Sequence, residues 1–249
     1  MMIKVLVHGA NGAMGRTVRQ LLDESFAGCI PGPMVDKEGG EGVCSRFAQV
    51  SRPADVILDF SFHTATANAV DYAVEKGIPI VIGTTGHTEE ERGYIAAAAK
   101  HIPVFYSGNM SMGIALLCDI ARQAARMFPD ADIEIVEVHH NRKADAPSGT
   151  AVMLANAIKE QRPEAQTVCG RSGIGRRSPG DIGISSVRMG NIVGIHEVHI
   201  STGTETITLK HEAHSRALFA EGALRVAEFI WGRPAGLYCM DDFVKGDRP

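Results

Sequence analysis

The first part of the chain alternates short apolar runs with stretches of helical length. Apolar residues are nearly continuous in four runs between positions 3 and 106, IKVLVHG, VILDFS, IPIVIG and IPVFYS. Between them, apolar residues recur at helical spacing near residues 16–24, 64–76 and 89–101. Continuous runs rich in Val and Ile indicate strands that are buried on both faces. The pattern therefore predicts a parallel sheet built from βαβ units.

The pattern changes in the second half of the chain. Between residues 181 and 212, apolar and polar residues alternate, as in EVHISTGTETITLKH, which predicts an open antiparallel sheet with one face in solvent. A last helix is predicted over residues 217–231, because the helical spacing there ends at Gly232 and Pro234. The fold class is therefore α/β, with a Rossmann-like parallel-sheet domain and an α+β domain whose open sheet is mixed or antiparallel.

Composition narrows the class of protein. The chain has 249 residues, of which 45% are hydrophobic and 22% charged, as in an ordinary globular protein of one large or two modest domains. A net charge of -4 without long cationic runs argues against nucleic acid or an acidic membrane as partner. The N-terminal apolar stretch is too short for a membrane span and lacks signal-peptide flanks, so a cytoplasmic location is expected.

The first candidate site is the glycine-rich turn GANGAMG. Gly9, Gly12 and Gly15 follow a predicted strand and precede a predicted helix, which is the context of a dinucleotide-binding loop. The helix start offers free N–H groups to phosphates. The candidate cofactor contacts are Gly9, Ala10, Asn11, Gly12, Ala13 and Met14. The spacing GxxGxxG differs from GxGxxG, so a glycine-rich turn without ligand remains an alternative.

Further candidate cofactor residues follow other predicted strands. Asp36 stands where an acidic residue would hold the adenosine ribose hydroxyls of NAD. Lys37 beside it would instead neutralise the 2′-phosphate of NADP, so NADH and NADPH both stay open. Two loops rich in small residues would approach the nicotinamide ribose, although such residues are also common in turns that bind nothing. Their candidates are Gly83, Thr84, Thr85, Ser107, Gly108, Asn109 and Met110.

The second candidate site is HHNRKADAPSGTA, residues 139–151, between a predicted strand and a predicted helix. Ser148 suits the helix N-cap, so that Gly149 and Thr150 present N–H groups to a carboxylate or phosphate. Lys143 adds a positive charge for the same anion. His139 and His140 should face different directions, one of them as a proton donor near neutral pH. The alternative is a set of surface polar groups around a helix cap.

A metal site is not expected. The HH pair lacks a carboxylate at ligand spacing and is not HExxH. The five cysteines (Cys29, Cys44, Cys118, Cys169 and Cys239) never form CxxC, which argues against a thiolate zinc site and against a disulfide framework.

These motifs resemble the dihydrodipicolinate reductase family nearly end to end. The resemblance rests on VEVHHNRKADAPSGTA together with GANGAMG, DFS, GTTG and SGNMSMG, and it continues through GRSGIGRRSPGDIG and KHEAHSRALFAEGALRVAEFI. HHxxKxDAPSGTA is specific to that family, whereas many dehydrogenases share the glycine loop. One departure is Ala13, where many relatives carry Arg in the loop.

The resemblance implies a reductase that transfers hydride from NADH or NADPH to a cyclic unsaturated dicarboxylate. It implies His139 as proton donor, Lys143 as catalytic residue and carboxylate ligand, and His140, Ser148, Gly149 and Thr150 as substrate contacts. It also implies a homotetramer formed through the sheet of the substrate domain. The C-terminal helix would return to the first domain, giving a dinucleotide-binding domain of residues 1–110 and 217–249 and a substrate-binding and oligomerisation domain of residues 111–216.

Two other functions remain open from the sequence. An aspartate-semialdehyde type dehydrogenase on the same scaffold would need an activated cysteine, and none of the five has a histidine partner nearby in sequence. A non-catalytic nucleotide sensor would leave the HHNRK and PSGTA groups without a role.

Overall fold

The computed structural model describes residues 2–246, which form two compact units. The first unit runs to Ser111 and resumes at Ala217, and the second is Met112–Arg216. The first unit begins with alternating strands and helices, as the apolar runs predict. Its elements up to residue 106 are β1 (Ile3–His8), α1 (Ala13–Asp23), β2 (Cys29–Val35), β3 (Val56–Asp59), α2 (His63–Lys76), β4 (Ile80–Ile82), α3 (Glu89–Ala98) and β5 (Pro103–Tyr106).

The second unit combines two helices with a sheet. Its elements are α4 (Met112–Met127), β6 (Asp132–His139), α5 (Gly149–Lys159), β7 (Thr167–Cys169), β8 (Ile182–Arg188), β9 (Gly194–Ser201) and β10 (Thr206–Ala213). The chain then returns to the first unit with α6 (Ala217–Ile230), β11 (Gly236–Tyr238) and α7 (Met240–Lys245). The predicted last helix is therefore correct to one residue, whereas β11 and α7 were not predicted.

The sheet of the first unit is parallel, which confirms the prediction from the continuous apolar runs. Its six strands lie in the order β11-β5-β4-β3-β1-β2, and each neighbouring pair is parallel. Its core includes Leu6, Ile57, Ile80, Ile82 and Val104, all fully buried. Since all strands point the same way, the loops after β1 to β5 share the carboxyl edge of the sheet, where α/β proteins bind ligands.

The sheet of the second unit is mixed. Its order is β10-β9-β6-β8-β7, with β6 antiparallel to β9 and parallel to β8. The alternating segment predicts β8, β9 and β10, but β6 inserts between β8 and β9, so the sheet is mixed and not wholly antiparallel. Helices α4 and α5 pack on one face of it, around a core that includes Ile133, Ile135, Leu154, Val198 and Ile200.

No helix in the part of the chain that the structure describes is both long enough and apolar enough to cross a membrane.

The core of the second unit gives a stability prediction. Leu154 on α5 is fully buried, whereas its neighbour Met153 lies on the exposed face of the helix. We expect Leu154→Ala to lower the free energy of unfolding by about 2–5 kcal/mol, because it leaves a cavity in the core. Met153→Ala should change it by no more than about 0.5 kcal/mol. Urea titration measures both values, and equal effects would contradict the packing described.

Candidate active site

The glycine loop after β1 is shaped by contacts that exclude side chains. Gly9 has φ +81°, and a Cβ there would lie 2.4 Å from the carbonyl oxygen of Phe60. A Cβ on Gly15 would lie 2.1 Å from the carbonyl oxygen of Gly9. Both positions therefore require glycine. Gly12 is the N-cap of α1 and supplies no side-chain cap, so the helix start keeps N–H groups for an anion.

The remaining loop residues differ in exposure. Ala10 is fully buried, Asn11 is half-buried, and Ala13 and Met14 form the first turn of α1. The N–H groups of Gly9 and Ala10 donate to the carbonyl of Val35, at 2.9 and 3.2 Å, which joins the loop to the end of β2. The backbone of the glycine loop thus fits the pyrophosphate of a dinucleotide. Its main-chain N–H groups would make more of the contacts than its side chains.

Asp36 lies against this loop, directly after β2. Its carboxylate accepts hydrogen bonds from the N–H groups of Asn11 at 3.0 Å and Glu38 at 3.2 Å. Lys37 is exposed and lines a groove of about 650 Å³ together with Arg46, Phe47 and Tyr72. Lys37 and Arg46 form no ion pair within residues 2–246, so both are available to a phosphate. Arg46 was not singled out from the sequence, because the turn that brings it to the groove is not encoded by a motif.

Asp59, at the end of β3, connects the loops at this edge of the sheet. It is fully buried, and its carboxylate accepts hydrogen bonds from the hydroxyls of Ser61 (2.5 Å), Thr66 (2.7 Å) and Thr84 (3.0 Å). His8 Nδ1 lies 2.8 Å from it in an ion-pair contact. Burial alone would raise the pKa of Asp59, but the contacts with His8, Ser61 and Thr66 lower it below its ordinary value. Asp59 thus holds several loops in one arrangement.

The other two candidate loops lie close together. A Cβ on Gly108 would lie 3.7 Å from Cγ2 of Thr85, and the N–H of Gly83 donates to the carbonyl of Asp59 at 2.9 Å. Thr84 is buried in the Asp59 network, and Met110 is buried with 2% exposure. Ser107 and Asn109 hydrogen-bond to each other within their turn. The partly exposed Gly83, Thr85 and Gly108 are therefore better placed to contact a ligand than Thr84 or Met110.

On the helix-covered face of the second unit's sheet, the side chains change from apolar to polar from one cross-strand row to the next. In one cross-strand row, Leu209, Val198, Ile135 and Ile184 of β10, β9, β6 and β8 are apolar. The next row on that face is His211, His196, Glu137 and Ser186, and the last is Ala213 and Gly194 followed by His139 and Arg188. Because side chains alternate along a strand, the carboxyl end of β6 places Glu137 and His139 where the core face continues.

Glu137 is the centre of this polar end. It is fully buried, and its carboxylate accepts from both terminal nitrogens of Arg188, at 2.7 and 2.8 Å, and from the N–H of Ser148 at 3.1 Å. His139 Nδ1 lies 2.5 Å from Glu137 Oε2. Burial by itself would raise the pKa of Glu137, but the hydrogen bonds of Arg188 and His139 lower it to about 2. Glu137 is therefore ionised at neutral pH.

Ser148 connects this network to α5. It is the N-cap of that helix, as predicted, and its hydroxyl accepts from the N–H of Ala151 at 3.2 Å. The same hydroxyl lies 3.1 Å from Nε2 of His196, whose ring packs edge-on against His139 at 5.1 Å between centroids. Burial and the neighbouring His139 lower the pKa of His196 to about 4. Gly149 is exposed at the first position of the helix, beside Thr150.

The remaining predicted residues lie in the loop between β6 and α5. Lys143 Nζ pairs with Asp145 at 2.8 Å. The half-buried His140 has Nε2 at 3.4 Å from Arg216, while His139 contacts Glu137, so the two histidines do point in different directions. Burial, followed by Arg142 and Arg216, lowers the pKa of His140. The loop that leads to the start of α5 thus carries Lys143, and Arg216 lies beside its His140.

Sequence reasoning missed Glu137, Arg188 and His196. The spacing of Glu137 and His139 was a usable signal, because residues i and i+2 of a strand share a face and that face is otherwise apolar. Arg188 and His196 join the site only through strand pairing. Among residues 2–246, no group of three or more His, Cys, Asp or Glu side chains is arranged to hold a metal ion.

The parallel-sheet unit with its glycine loop, and the separate unit with a histidine beside a helix start, define a dinucleotide-dependent oxidoreductase. Two family models match the chain, the N-terminal part of dihydrodipicolinate reductase over residues 3–110 and the C-terminal part over residues 113–244. The chain is 45% identical over 255 residues to the 4-hydroxy-tetrahydrodipicolinate reductase of Caldanaerobacter subterraneus, covering 98% of this chain and 99% of the relative. The chain therefore belongs to the dihydrodipicolinate reductase family.

Solved structures agree on the fold. A dipicolinate-bound dihydrodipicolinate reductase from Paenisporosarcina sp. TG-14 is similar with a TM-score of 0.80 and 24% identity, covering 96% of this chain and 98% of that one. Aspartate semialdehyde dehydrogenase II from Vibrio cholerae shares the scaffold at a TM-score of 0.53 and 13% identity, covering 92% of this chain and 98% of that one. Family membership identifies the chain as an NAD(P)H-dependent reductase of diaminopimelate and lysine biosynthesis, which excludes the sensor and the semialdehyde dehydrogenase.

Gly15 gives a test of the cofactor loop with a matched control. Gly15→Ala places a methyl group against the backbone of Gly9, so we expect a loss of about 1–3 kcal/mol in stability. NADH binding should weaken roughly tenfold, a loss of about 1.4 kcal/mol. Gly93 also lies inside a helix but has open space around it. Gly93→Ala should be neutral or stabilising by up to about 1 kcal/mol. Nucleotide fluorescence titration and urea unfolding measure these effects, and normal NADH affinity in Gly15→Ala would contradict the assignment.

Proposed function

We propose that the protein reduces a cyclic unsaturated dicarboxylate to tetrahydrodipicolinate, with hydride from NADH or NADPH and a proton from His139. Residues 1–110 and 217–249 form the dinucleotide-binding domain, and residues 111–216 bind the substrate. One hydride and one proton are added per double bond, and NAD(P)⁺ is the second product. The observation that carries the proposal is the start of α5 beside the buried Glu137 and His139, in a chain of this family.

The cofactor is held by main chain at the phosphates and by side chains at the ribose. The glycine loop and the start of α1 receive the pyrophosphate, and Asp36 receives the adenosine ribose hydroxyls in exchange for one of its backbone partners. Gly83, Thr85 and Gly108 approach the nicotinamide end. When bound, the nicotinamide supplies the hydride.

A substrate carboxylate binds at the start of α5. The N–H groups of Gly149 and Thr150 and the charge of Lys143 are the donors, and His140 and Ser148 complete the wall of the site. Lys143 is paired with Asp145, whose side chain is 59% exposed. The substrate carboxylate replaces or shares that exposed partner, which costs little because a solvated ion pair is weak.

His139 donates the proton to the carbon or nitrogen next to the one that accepts hydride. A histidine exchanges protons near neutral pH, and His139 lies beside the anion site without being exposed, with 8% of its surface accessible. Donation in step with hydride transfer prevents charge from accumulating on the ring.

We further propose that the protein is a cytoplasmic homotetramer. Helices α4 and α5 cover one face of the mixed sheet, and the other face carries partly exposed apolar side chains, Val136, Val138, Val187 and Ile195. A face of this kind is suited to pairing with the same face of another copy. Light scattering coupled to gel filtration tests this proposal, and a monomeric mass would reject it.

Oxidation of NADH and NADPH with a freshly generated dihydrodipicolinate precursor tests the reaction. We expect turnover that pyridine-2,6-dicarboxylate suppresses competitively. Protein that is folded and binds nucleotide, but oxidises neither cofactor, would refute the proposed reaction.

Variants of the two catalytic residues should have different kinetic effects. His139→Gln removes the proton donor but not the anion site, so kcat should fall roughly 10²–10⁴-fold with little change in KM. Lys143→Ala removes a charge that acts in both ground and transition states, so kcat should fall and KM rise. Asp145→Ala is the matched control, since it removes the partner of Lys143 and leaves the lysine in place. Steady-state kinetics measure each effect, and wild-type turnover in either catalytic variant would contradict its assigned role.

Lys37 should decide the preference for NADPH. Its ammonium is unpaired beside Asp36, where a 2′-phosphate would lie. Lys37→Ala should weaken NADPH binding roughly 5- to 10-fold, and NADH binding by less than twofold, since one charge-assisted contact is lost. Lys76→Ala is the control, because Lys76 lines the same groove but is paired with Glu75. Competition by 2′-AMP and 5′-AMP measures the contact directly, and equal losses for both nucleotides would contradict it.

A further inference from the structure

We propose that Glu137 is a positioning residue that fixes the tautomer of His139, so that Nε2 is the atom that donates the proton. This inference rests on the proposed role of His139 and adds a residue to it. The observations that carry it are the complete burial of Glu137, the direction of every hydrogen bond it receives, and the space left beside Nε2.

The carboxylate of Glu137 can act only as an acceptor. Arg188 and the N–H of Ser148 are obligatory donors, and they occupy both of its oxygens. Ionised Glu137 therefore requires His139 Nδ1, at 2.5 Å, to carry a hydrogen. The neutral ring then has its lone pair on Nε2, and the proton that the cationic ring can release is the one on Nε2.

The surroundings of Nε2 are open in a way that Nδ1 is not. Nε2 of His139 has no hydrogen-bond partner in the described part of the chain. The neighbouring position on β9 is Gly194, where a Cβ would lie 3.0 Å from Nε2 and 3.4 Å from Cδ2 of His139. The absence of a side chain at Gly194 thus leaves room for a reacting group beside Nε2.

His196 does not compete with His139 as donor. The hydroxyl of Ser148 accepts from the N–H of Ala151 and lies 3.1 Å from Nε2 of His196. Burial and the neighbouring His139 lower the pKa of His196 to about 4, so its ring is neutral at neutral pH. The rings of His139 and His196, which pack edge to face, therefore have separate roles. His139 donates the proton, and His196 is an uncharged side chain that lines the site.

Glu137 also balances the charge around His139. The other charged and titratable groups around the ring are Arg188 on β8, His196 on β9, and His140 and Lys143 in the loop, all cationic when charged, together with Asp145, which is paired with Lys143. Glu137 stabilises the imidazolium form against them. Without its charge, a positive charge on the ring of His139 has no adjacent carboxylate and costs more.

The experiment compares Glu137→Gln with Glu134→Gln. Glu134 lies on the same strand but is 38% exposed and pairs with Arg177. We expect Glu137→Gln to lower kcat roughly 10- to 100-fold with little change in KM, and to move the alkaline fall of kcat to lower pH. Glu134→Gln should match the wild type in both. A merely structural role for Glu137 would lower the amount of folded enzyme but leave the pH profile of the remaining activity unchanged.

Removing the charge of Glu137 leaves Arg188 without its partner, so a second variant, Glu137→Gln with Arg188→Gln, removes both charges. It should be folded and show a smaller shift in pH profile than Glu137→Gln alone, because the repulsion between Arg188 and the imidazolium is removed as well. Long-range proton–nitrogen NMR on histidine-labelled protein reads the tautomer without substrate, with His139 assigned by its loss in His139→Gln. We expect hydrogen on Nδ1 in the wild type and a shift toward Nε2 in Glu137→Gln.

Hydrogen on Nε2 of neutral His139 in the wild type, or a wild-type pH profile in folded Glu137→Gln, would overturn the inference. Failure of the proposed function is distinguishable, because His139→Gln would then keep its turnover whatever the tautomer.

Discussion

The structure of the second unit depends on a carboxylate buried in its sheet. An ionised group with no solvent exposure is tolerated only if hydrogen bonds and opposite charge replace its hydration. Glu137 receives these from β8 through Arg188, from the start of α5 through Ser148, and from His139 on its own strand. The need to stabilise the buried charge of Glu137 therefore fixes the start of α5, the edge of the core and the ring of His139. A site whose geometry follows from a buried charge needs little reorganisation when substrate binds.

The two units present different kinds of chemical groups to a ligand. The glycine loop presents mainly main-chain groups, because Gly9 and Gly15 pack against the backbone of Phe60 and Gly9 too closely to carry side chains. The second unit works through side chains at a row where an apolar sheet face becomes polar. The same scaffold occurs in aspartate semialdehyde dehydrogenase II from Vibrio cholerae at 13% identity, so the architecture does not select the reaction. The proposed function assigns that selection to the residues between the end of β6 and the start of α5.

Local pattern was sufficient to predict the parallel sheet, the glycine loop and the Ser148 cap. Each depends on residues close in sequence, whose spacing reflects the geometry of a turn or a helix start. The partners of Glu137 were beyond reach, because Arg188 is 51 residues away and meets it only where β6 inserts beside β8. The hydrogen bonds that join the neighbouring loops to Asp59 were missed for the same reason, since Thr84 is 25 residues from it. Pairing between distant strands cannot be deduced from periodicity, which gives the face of a strand but not its neighbour.

A crystal structure with pyridine-2,6-dicarboxylate and a nicotinamide nucleotide tests the central claim most directly. The account predicts one carboxylate at the start of α5, within hydrogen-bond distance of the Gly149 and Thr150 N–H groups and of Lys143, with the ring beside Nε2 of His139. A dicarboxylate bound elsewhere, with Lys143 still paired to Asp145 and nothing beside His139, would contradict it.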